Sequence, residues 1–144
     1  MEIRPLESGD LPNVTQVFIA TFNAAPWGES WTQETASNCL KEMLMLPRSV
    51  AWGAWENDQC LGAALGHDQQ KDTALTHEIK EVFVNPQRQG QGIGKNLLNA
   101  YIEAVLGRGV KSIYLLTAQD SDAEAFYQRA EFRRARRQIV LVRP

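Results

Sequence analysis

Hydrophobic positions along this chain of 144 residues recur with two spacings, every second position or every third to fourth, and the switches between them mark out its elements. Residues 2–6 read as a short strand. Asp10 then stands as the cap of a helix that sets Leu11, Val14, Phe18 and Phe22 on one face. Residues 23–31, Asn-Ala-Ala-Pro-Trp-Gly-Glu-Ser-Trp, form a turn-rich loop carrying two tryptophans. A second helix starts at Ser30 or Thr32, turns Ala36, Cys39, Leu40, Met43 and Leu44 inward, and stops at Leu46-Pro47. Strands follow at about 49–55 and 60–67, joined at Glu56-Asn57-Asp58, and a third runs over about 74–84. A glycine-rich turn feeds a third helix with Leu97, Leu98, Tyr101, Ile102 and Val105 on one side, closing near Gly107 and Gly109. A strand at 112–117, a helix at 122–130 and a last strand at 135–142 complete the order. This order predicts an α/β fold with a mixed sheet, in one domain over residues 1–144.

Composition narrows the class. Hydrophobic content of 44% is ordinary for a water-soluble globular chain, and this length buries a core without disulfides or metal. No apolar run approaches the roughly 20 residues of a membrane span, which argues against a membrane protein. Met1-Glu2-Ile3-Arg4-Pro5 lacks the apolar centre of a signal peptide, and Cys39 and Cys60 lack zinc-ligand spacing. Reduced core cysteines, no metal and a cytoplasmic location are the expectation. The net charge of −2 divides unevenly: residues 1–76 carry ten acids and four bases, residues 77–144 seven acids and eleven bases. A basic half suits an anionic ligand, and an acidic half suits a cationic acceptor such as an amine. Arginines 133, 134, 136 and 137 would suit nucleic acid, but the chain as a whole is acidic, which argues against it.

The chemistry concentrates where the third long strand meets its helix, at Val82-Phe83-Val84-Asn85-Pro86-Gln87-Arg88-Gln89-Gly90-Gln91-Gly92-Ile93-Gly94-Lys95. Glycines 90, 92 and 94 leave successive N–H groups unobstructed, and the helix start adds its own unpaired N–H groups and the positive end of its dipole. Together they form a socket for a pyrophosphate. A nucleotide P-loop needs glycine where Gln89 stands and Ser or Thr where Asn96 stands, so that reading fails. A dinucleotide fingerprint fails as well, because the glycines read G-x-G-x-G and lead to Leu115-Leu116-Thr117 where an acid should stand. The remaining pattern, Gln/Arg-x-x-Gly-x-Gly/Ala, is met by Gln89, Gly92 and Gly94. With its preceding strand it resembles the coenzyme A pyrophosphate loop of the GNAT superfamily of N-acetyltransferases. A second segment, Asp120-Ser121-Asp122-Ala123-Glu124-Ala125-Phe126-Tyr127-Gln128-Arg129-Ala130-Glu131-Phe132, resembles that family's Asn-x-x-Ala-x-x-Phe-Tyr-x-x-x-Gly-Phe. Asp120 replaces the usual Asn, and Glu131 the usual Gly. The resemblance is continuous from about residue 74 onward and diffuse before it.

The resemblance implies a GNAT-like sheet of six to seven strands flanked by about four helices, with acetyl-CoA as co-substrate. Backbone groups of Val82, Phe83 and Val84 would hold the pantetheine arm, with the amide of Phe83 or Val84 facing the thioester oxygen. The turn Gln89, Gly90, Gln91, Gly92, Ile93, Gly94 and Lys95 would bind the pyrophosphate, with Arg88 and Lys95 near the other phosphates. Asp120, Ala123 and Phe126 would complete the cofactor side. Tyr127 falls on the family tyrosine that protonates the departing sulfur. Glu78 and Glu81 are candidate bases or acceptor-binding carboxylates, and His67 and His77 could also serve. Strict alternation along 76–84 puts Glu78 and Glu81 on opposite faces unless a bulge intervenes. Trp27 and Trp31 would line the acceptor pocket. The implied function is acetyl transfer to a small-molecule or peptide amine by direct attack; the alternative is a non-catalytic sensor or interaction module that binds CoA. A homodimer stays open.

Overall fold

A computed structural model describes residues 1–144 and places five strands and four α-helices in the order read from the sequence. The strands are β1 (Glu2–Pro5), β2 (Ser49–Glu56), β3 (Gln59–Gln70), β4 (Leu75–Val84) and β5 (Val110–Leu115). The helices are α1 (Leu11–Phe22), α2 (Gln33–Leu44), α3 (Ile93–Leu106) and α4 (Asp122–Arg129). The sheet runs β1-β2-β3-β4-β5, antiparallel through β4, with β5 parallel to β4. Helix α3 is the crossover that a parallel pair requires.

Each helix is set by its apolar stripe. Val14, Val17, Phe18 and Phe22 of α1 pack with Ala36, Leu40 and Met43 of α2 against Ala63, Leu65 and Phe83 on one sheet face. Leu97, Leu98, Tyr101 and Val105 of α3 cover Val50, Ala64, Ile79 and Val110 on the other. Phe126, Tyr127 and Phe132 pack along the edge of that second cluster. Thr32 caps α2, its hydroxyl accepting from the Thr35 amide. Asp10 differs from expectation. Its carboxylate accepts from Arg4 and from the Glu7 amide, bracing the short turn before α1 rather than capping α1 itself.

His77 of β4 is fully buried, with Nδ1 2.7 Å from Asp68 Oδ1 and Nε2 2.7 Å from the Tyr101 hydroxyl. Arg108 donates to the other Asp68 oxygen at 2.8 Å. Burial lowers the His77 pKa, only partly opposed by Asp68. Both ring nitrogens are engaged in tying β3, β4 and α3 together, so His77 is structural.

The expectation of six to seven strands is corrected to five. Residues 135–142 form no ladder, and Ile139, Val140, Leu141 and Val142 stand 64–86% exposed. Their apolar run fits a strand, but a strand exists only where an edge receives it, and they form no ladder on any edge of this sheet. The outer edge of β5 is correspondingly free. No helix is long and apolar enough to cross a membrane.

Candidate functional site

The site begins where two parallel strands part. Pairing of β4 with β5 ends at Ile79↔Leu115, so β4 from Lys80 to Val84 has no neighbour on that side. On its other side β4 stays paired to β3, and the Asn85 amide donates to the Leu61 carbonyl. Antiparallel alternation from that bond turns Phe83 toward β3 and the N–H and C=O of Val82 and Val84 into the gap. The Val84 carbonyl accordingly accepts from Gln89 Nε2 at 3.1 Å and from the Thr21 hydroxyl at 3.3 Å. Of the two amides considered for the thioester oxygen, Val84 faces the gap and Phe83 does not. The Phe83 side chain is buried against Phe18 and Phe22.

At the end of β4, Asn85 accepts from the Gln87 amide and starts a short turn. Gly90 and Gly92 then take φ of 77° and 81°, a left-handed backbone that glycine adopts without strain. The first bond of α3 runs from the Asn96 amide to the Gly92 carbonyl, leaving the amides of Ile93, Gly94 and Lys95 without intrahelical acceptors. Gly94 sits where α3 meets α4: a Cβ there would stand 3.4 Å from both Phe126 and Val84, an ordinary contact, in keeping with the Gly/Ala of the pattern. Ile93 points away into a small core with Ala54 and Leu61, so it offers its amide alone. The Gln91 side chain accepts from Arg88 and lies outside the gap.

These groups line a cavity of about 680 Å³ with Val82, Phe83 and Val84 on one wall and Ala123, Phe126 and Tyr127 on another. Lys95 and Arg129 bring positive charge to it, and neither is held in an ion pair. Arg88, considered for the phosphates, also lines the cavity and is paired there as a fork on both oxygens of Glu56 at 3.1 and 3.3 Å. Arg129 was missed from the sequence. Helical spacing carries the signal, since Asp122, Phe126 and Arg129 follow one another on one face of α4.

Asp120 does not meet this cavity. It sits at φ 58° with its carboxylate 81% exposed and bonded to Arg134. Glu124 beside it accepts from Arg134 and from the Asp120 amide, which hold its carboxyl well below the usual range. After α4, Glu131 takes φ 72°, and the Phe132 amide donates back to the Tyr127 carbonyl. That bend folds Phe132 onto Tyr127, ring centroids 5.8 Å apart, while Phe126 flanks Tyr127 at 5.2 Å.

The acids lie on the opposite side of β4 from α3. In the β3–β4 register Leu65 faces Glu81 and Gly66 faces Ile79, so Lys80 is an extra, bulged residue. The bulge breaks strict alternation and brings Glu78 to the face of Glu81 and Phe83. Glu78 accepts from His67 Nε2 at 3.2 Å and lies 3.6 Å from Lys80 Nζ, so it is already partnered. Glu81 makes no hydrogen bond or ion pair. Burial, with the Glu29 charge added and Lys80 opposing, pushes its pKa up to about 7. Burial first and the Glu81 charge second raise the Tyr127 phenol. The Glu81 charge thus reaches Tyr127, although Tyr127 lines the cavity and Glu81 does not.

The two tryptophans separate. Trp27 is 38% exposed, packs on Phe22 at 5.7 Å and lines the cavity with Ala25 and Pro26. Trp31 packs edge-on to Phe18 at 4.8 Å, and Asn23 clamps its backbone with two hydrogen bonds of 2.9 and 2.8 Å. It closes the core rather than the cavity. No group of three or more His, Cys, Asp or Glu side chains is placed to hold a metal ion.

Comparison with known proteins locates this arrangement. Residues 14–132 match the model of the acetyltransferase (GNAT) family. Among curated proteins, mycothiol acetyltransferase of Rhodococcus jostii is 27% identical over 139 residues, covering 93% of this chain and 46% of that one. N-alpha-acetyltransferase 30 of Schizosaccharomyces pombe is 33% identical over 86 residues, covering 58% and 57%. The chain thus spans about half the length of these curated relatives. Among solved structures, an aminoglycoside acetyltransferase from an uncultured soil metagenomic sample, in complex with sisomicin, superposes with TM-score 0.74 at 20% identity. That match covers 99% of this chain and 94% of that one.

Proposed function

The chain belongs to the acetyltransferase (GNAT) family, and from that premise we propose that it transfers an acetyl group from acetyl-CoA to an amine by direct attack. Acetyl-CoA supplies an acyl group activated as a thioester. The observation that carries the reading is the juxtaposition of a free strand edge and a glycine turn on a helix N-terminus around one cavity that Tyr127 also lines. The residues present fit that ligand. Open amides at the start of α3, with Lys95 and Arg129, suit phosphates, and the edge of β4 suits an amide-bearing arm.

Each step falls to a named group. An alkylamine arrives protonated, since its pKa lies near ~10. Glu81 takes a proton from it, directly or through water, and a carboxylate titrating near neutrality does so far better than an ordinary one. The Val84 amide faces the thioester oxygen and stabilises the charge that develops there. Tyr127, kept neutral by burial, gives its proton to the departing sulfur; the amine nitrogen loses its second proton as the amide forms, and Tyr127 regains one through solvent. Burial also pushes the Cys60 thiol up to about 11 and raises Cys39, and neither lines the cavity, which favours direct attack over an acyl-cysteine. Trp27 and Glu29 on the loop before α2 form the acceptor side, suited to a cation.

The test is a panel of amines incubated with acetyl-CoA, reading free thiol release. Release that depends on the amine is the expected result; acetyl-CoA binding with no release for any amine would leave a binding module instead.

Glu81→Gln separates base from bystander. Wild-type kcat/KM should rise with pH through about 7, the pKa of Glu81, and the variant should lose that limb. Stability gives a second readout. Folded Glu81 keeps its proton to a higher pH than in the unfolded chain, so wild type loses stability as pH climbs from the ordinary carboxylate range through about 7. Urea unfolding should find Glu81→Gln more stable at pH 8 by on the order of 1–3 kcal/mol, and no different at pH 4. An unchanged pH–rate profile would clear Glu81.

A further inference from the structure

Tyr127 is aimed by its neighbours rather than by a bond. Its hydroxyl meets no partner inside the protein, and its ring lies between Phe126 at 5.2 Å and Phe132 at 5.8 Å. Phe126 precedes it on α4 and moves with it. Phe132 lies beyond the helix, so whatever fixes residues 131–134 sets one wall of the Tyr127 slot. Those residues belong to no helix or strand. One backbone bond, from the Phe132 amide to the Tyr127 carbonyl at 3.0 Å, draws Phe132 back. It spans Glu131, whose φ of 72° disfavours a residue with a side chain. A second tether is needed to keep such a bend closed.

Arg134 supplies it. Its guanidinium donates to both oxygens of Glu124, at 2.6 Å from Nε and 2.8 Å from Nη2, and from Nη2 again to Asp120 Oδ1 at 2.9 Å. Glu124 is buried and also accepts from the Asp120 amide at 2.8 Å. Exposed ion pairs are generally worth little, but a two-pronged fork on a buried carboxylate within a network is the exception. The clamp joins the turn before α4, the first turn of α4 and the chain just past Phe132. Two departures from the family pattern meet here. Asp120, in place of Asn, gives Arg134 a second charge, and Arg134 secures the bend that Glu131, in place of Gly, strains.

We propose that Arg134 is a positioning residue for acetyl transfer: through Glu124 and Asp120 it holds Phe132 against Tyr127 and so keeps the phenol aimed into the cavity. This role presupposes that Tyr127 is the acid. Arg134 itself is absent from the cavity lining and acts only through the ring it braces. Its side chain is 54% exposed, so replacing it empties no core.

The test has a structural arm and a kinetic one. In NMR hydrogen exchange, the Phe132 amide of Arg134→Ala should lose protection by about tenfold or more, while the amides of α3 keep theirs. Unchanged protection at Phe132 overturns the proposal whatever the chain catalyses. In steady-state kinetics, Arg134→Ala should lower kcat by about 10- to 100-fold, the cost of a small misplacement, and leave the acetyl-CoA KM unchanged. In a Tyr127→Phe background the same substitution should cost less than about twofold, because the group it aims is gone. Arg134→Lys, which keeps the charge and loses the fork, should recover part of kcat. An equal loss in both backgrounds, or a raised KM at unchanged kcat, overturns the proposal, since Arg134 would then serve the fold or the cofactor wall. A Tyr127→Phe protein as fast as wild type, or no transfer to any amine, removes the acid reading and this role with it. The exchange arm tells that case from a failure of the clamp alone.

Discussion

Tyr127→Phe should lower turnover by about 10²–10⁴-fold, the usual contribution of a positioned acid, while acetyl-CoA affinity changes little. The reason lies in what the ring does besides chemistry. Its faces are held by Phe126 and Phe132, contacts that phenylalanine keeps. The hydroxyl makes no hydrogen bond inside the protein, so removing it orphans no buried partner. Urea unfolding should therefore move by less than about 1 kcal/mol. What disappears is a proton that burial and the Glu81 charge keep on the phenol at working pH. In solution a phenol near ~10 is a weaker acid than a thiol near ~8.5. Inside the gap the departing thiolate is desolvated too and rises with it, so the transfer stays feasible. Steady-state kinetics on any acceptor found by thiol release decide the matter. A loss below about threefold would show that water, rather than Tyr127, protonates the sulfur.

The parts of this molecule legible in the sequence are those whose cause is local. The glycine turn is one, because left-handed φ at residues 90 and 92 and open amides at a helix start follow from the residues themselves. The four helices are another, each carrying its own stripe. What escaped depends on partners distant in sequence. Alternation along β4 put Glu78 and Glu81 on opposite faces, and only the register against β3 shows Lys80 bulging out to reunite them. Residues 135–142 carry the pattern of a strand, but pairing is a property of two segments, and they form no ladder with the free edge of β5. Trp27 and Trp31 look alike in the loop, yet Asn23 draws one onto Phe18 and leaves the other at the cavity. Arg88 and Arg129 differ likewise, since Glu56 claims the first from 32 positions away. Glu131, standing where the family has Gly, takes φ 72°, the left-handed position that glycine fills more easily.

Gly92→Glu should weaken acetyl-CoA binding by on the order of 10²-fold or more, since placing like charges against each other in a binding site costs several kcal/mol. The geometry makes the effect specific. A Cβ at Gly92 meets nothing within 4 Å, so the new side chain enters open space at the mouth of the cavity without displacing core atoms. Its carboxylate would stand among the amides of Ile93, Gly94 and Lys95, where a helix N-terminus attracts negative charge. It would thus satisfy the donors meant for the pyrophosphate and repel the phosphates as well. Backbone strain is a separate cost, because φ 81° disfavours any side chain by about 1–2 kcal/mol. Gly92→Ala carries that strain without the charge, and comparing the two variants isolates the electrostatic part. Calorimetry should find the alanine variant close to wild type for acetyl-CoA and the glutamate variant far weaker. ATP and NAD should bind wild type much more weakly than CoA, since neither carries an extended pantetheine arm with chain amides to pair with the free edge of β4. Equal acetyl-CoA affinity in folded Gly92→Glu would mean that the phosphates lie elsewhere, and the glycine turn would then be only the connection between β4 and α3.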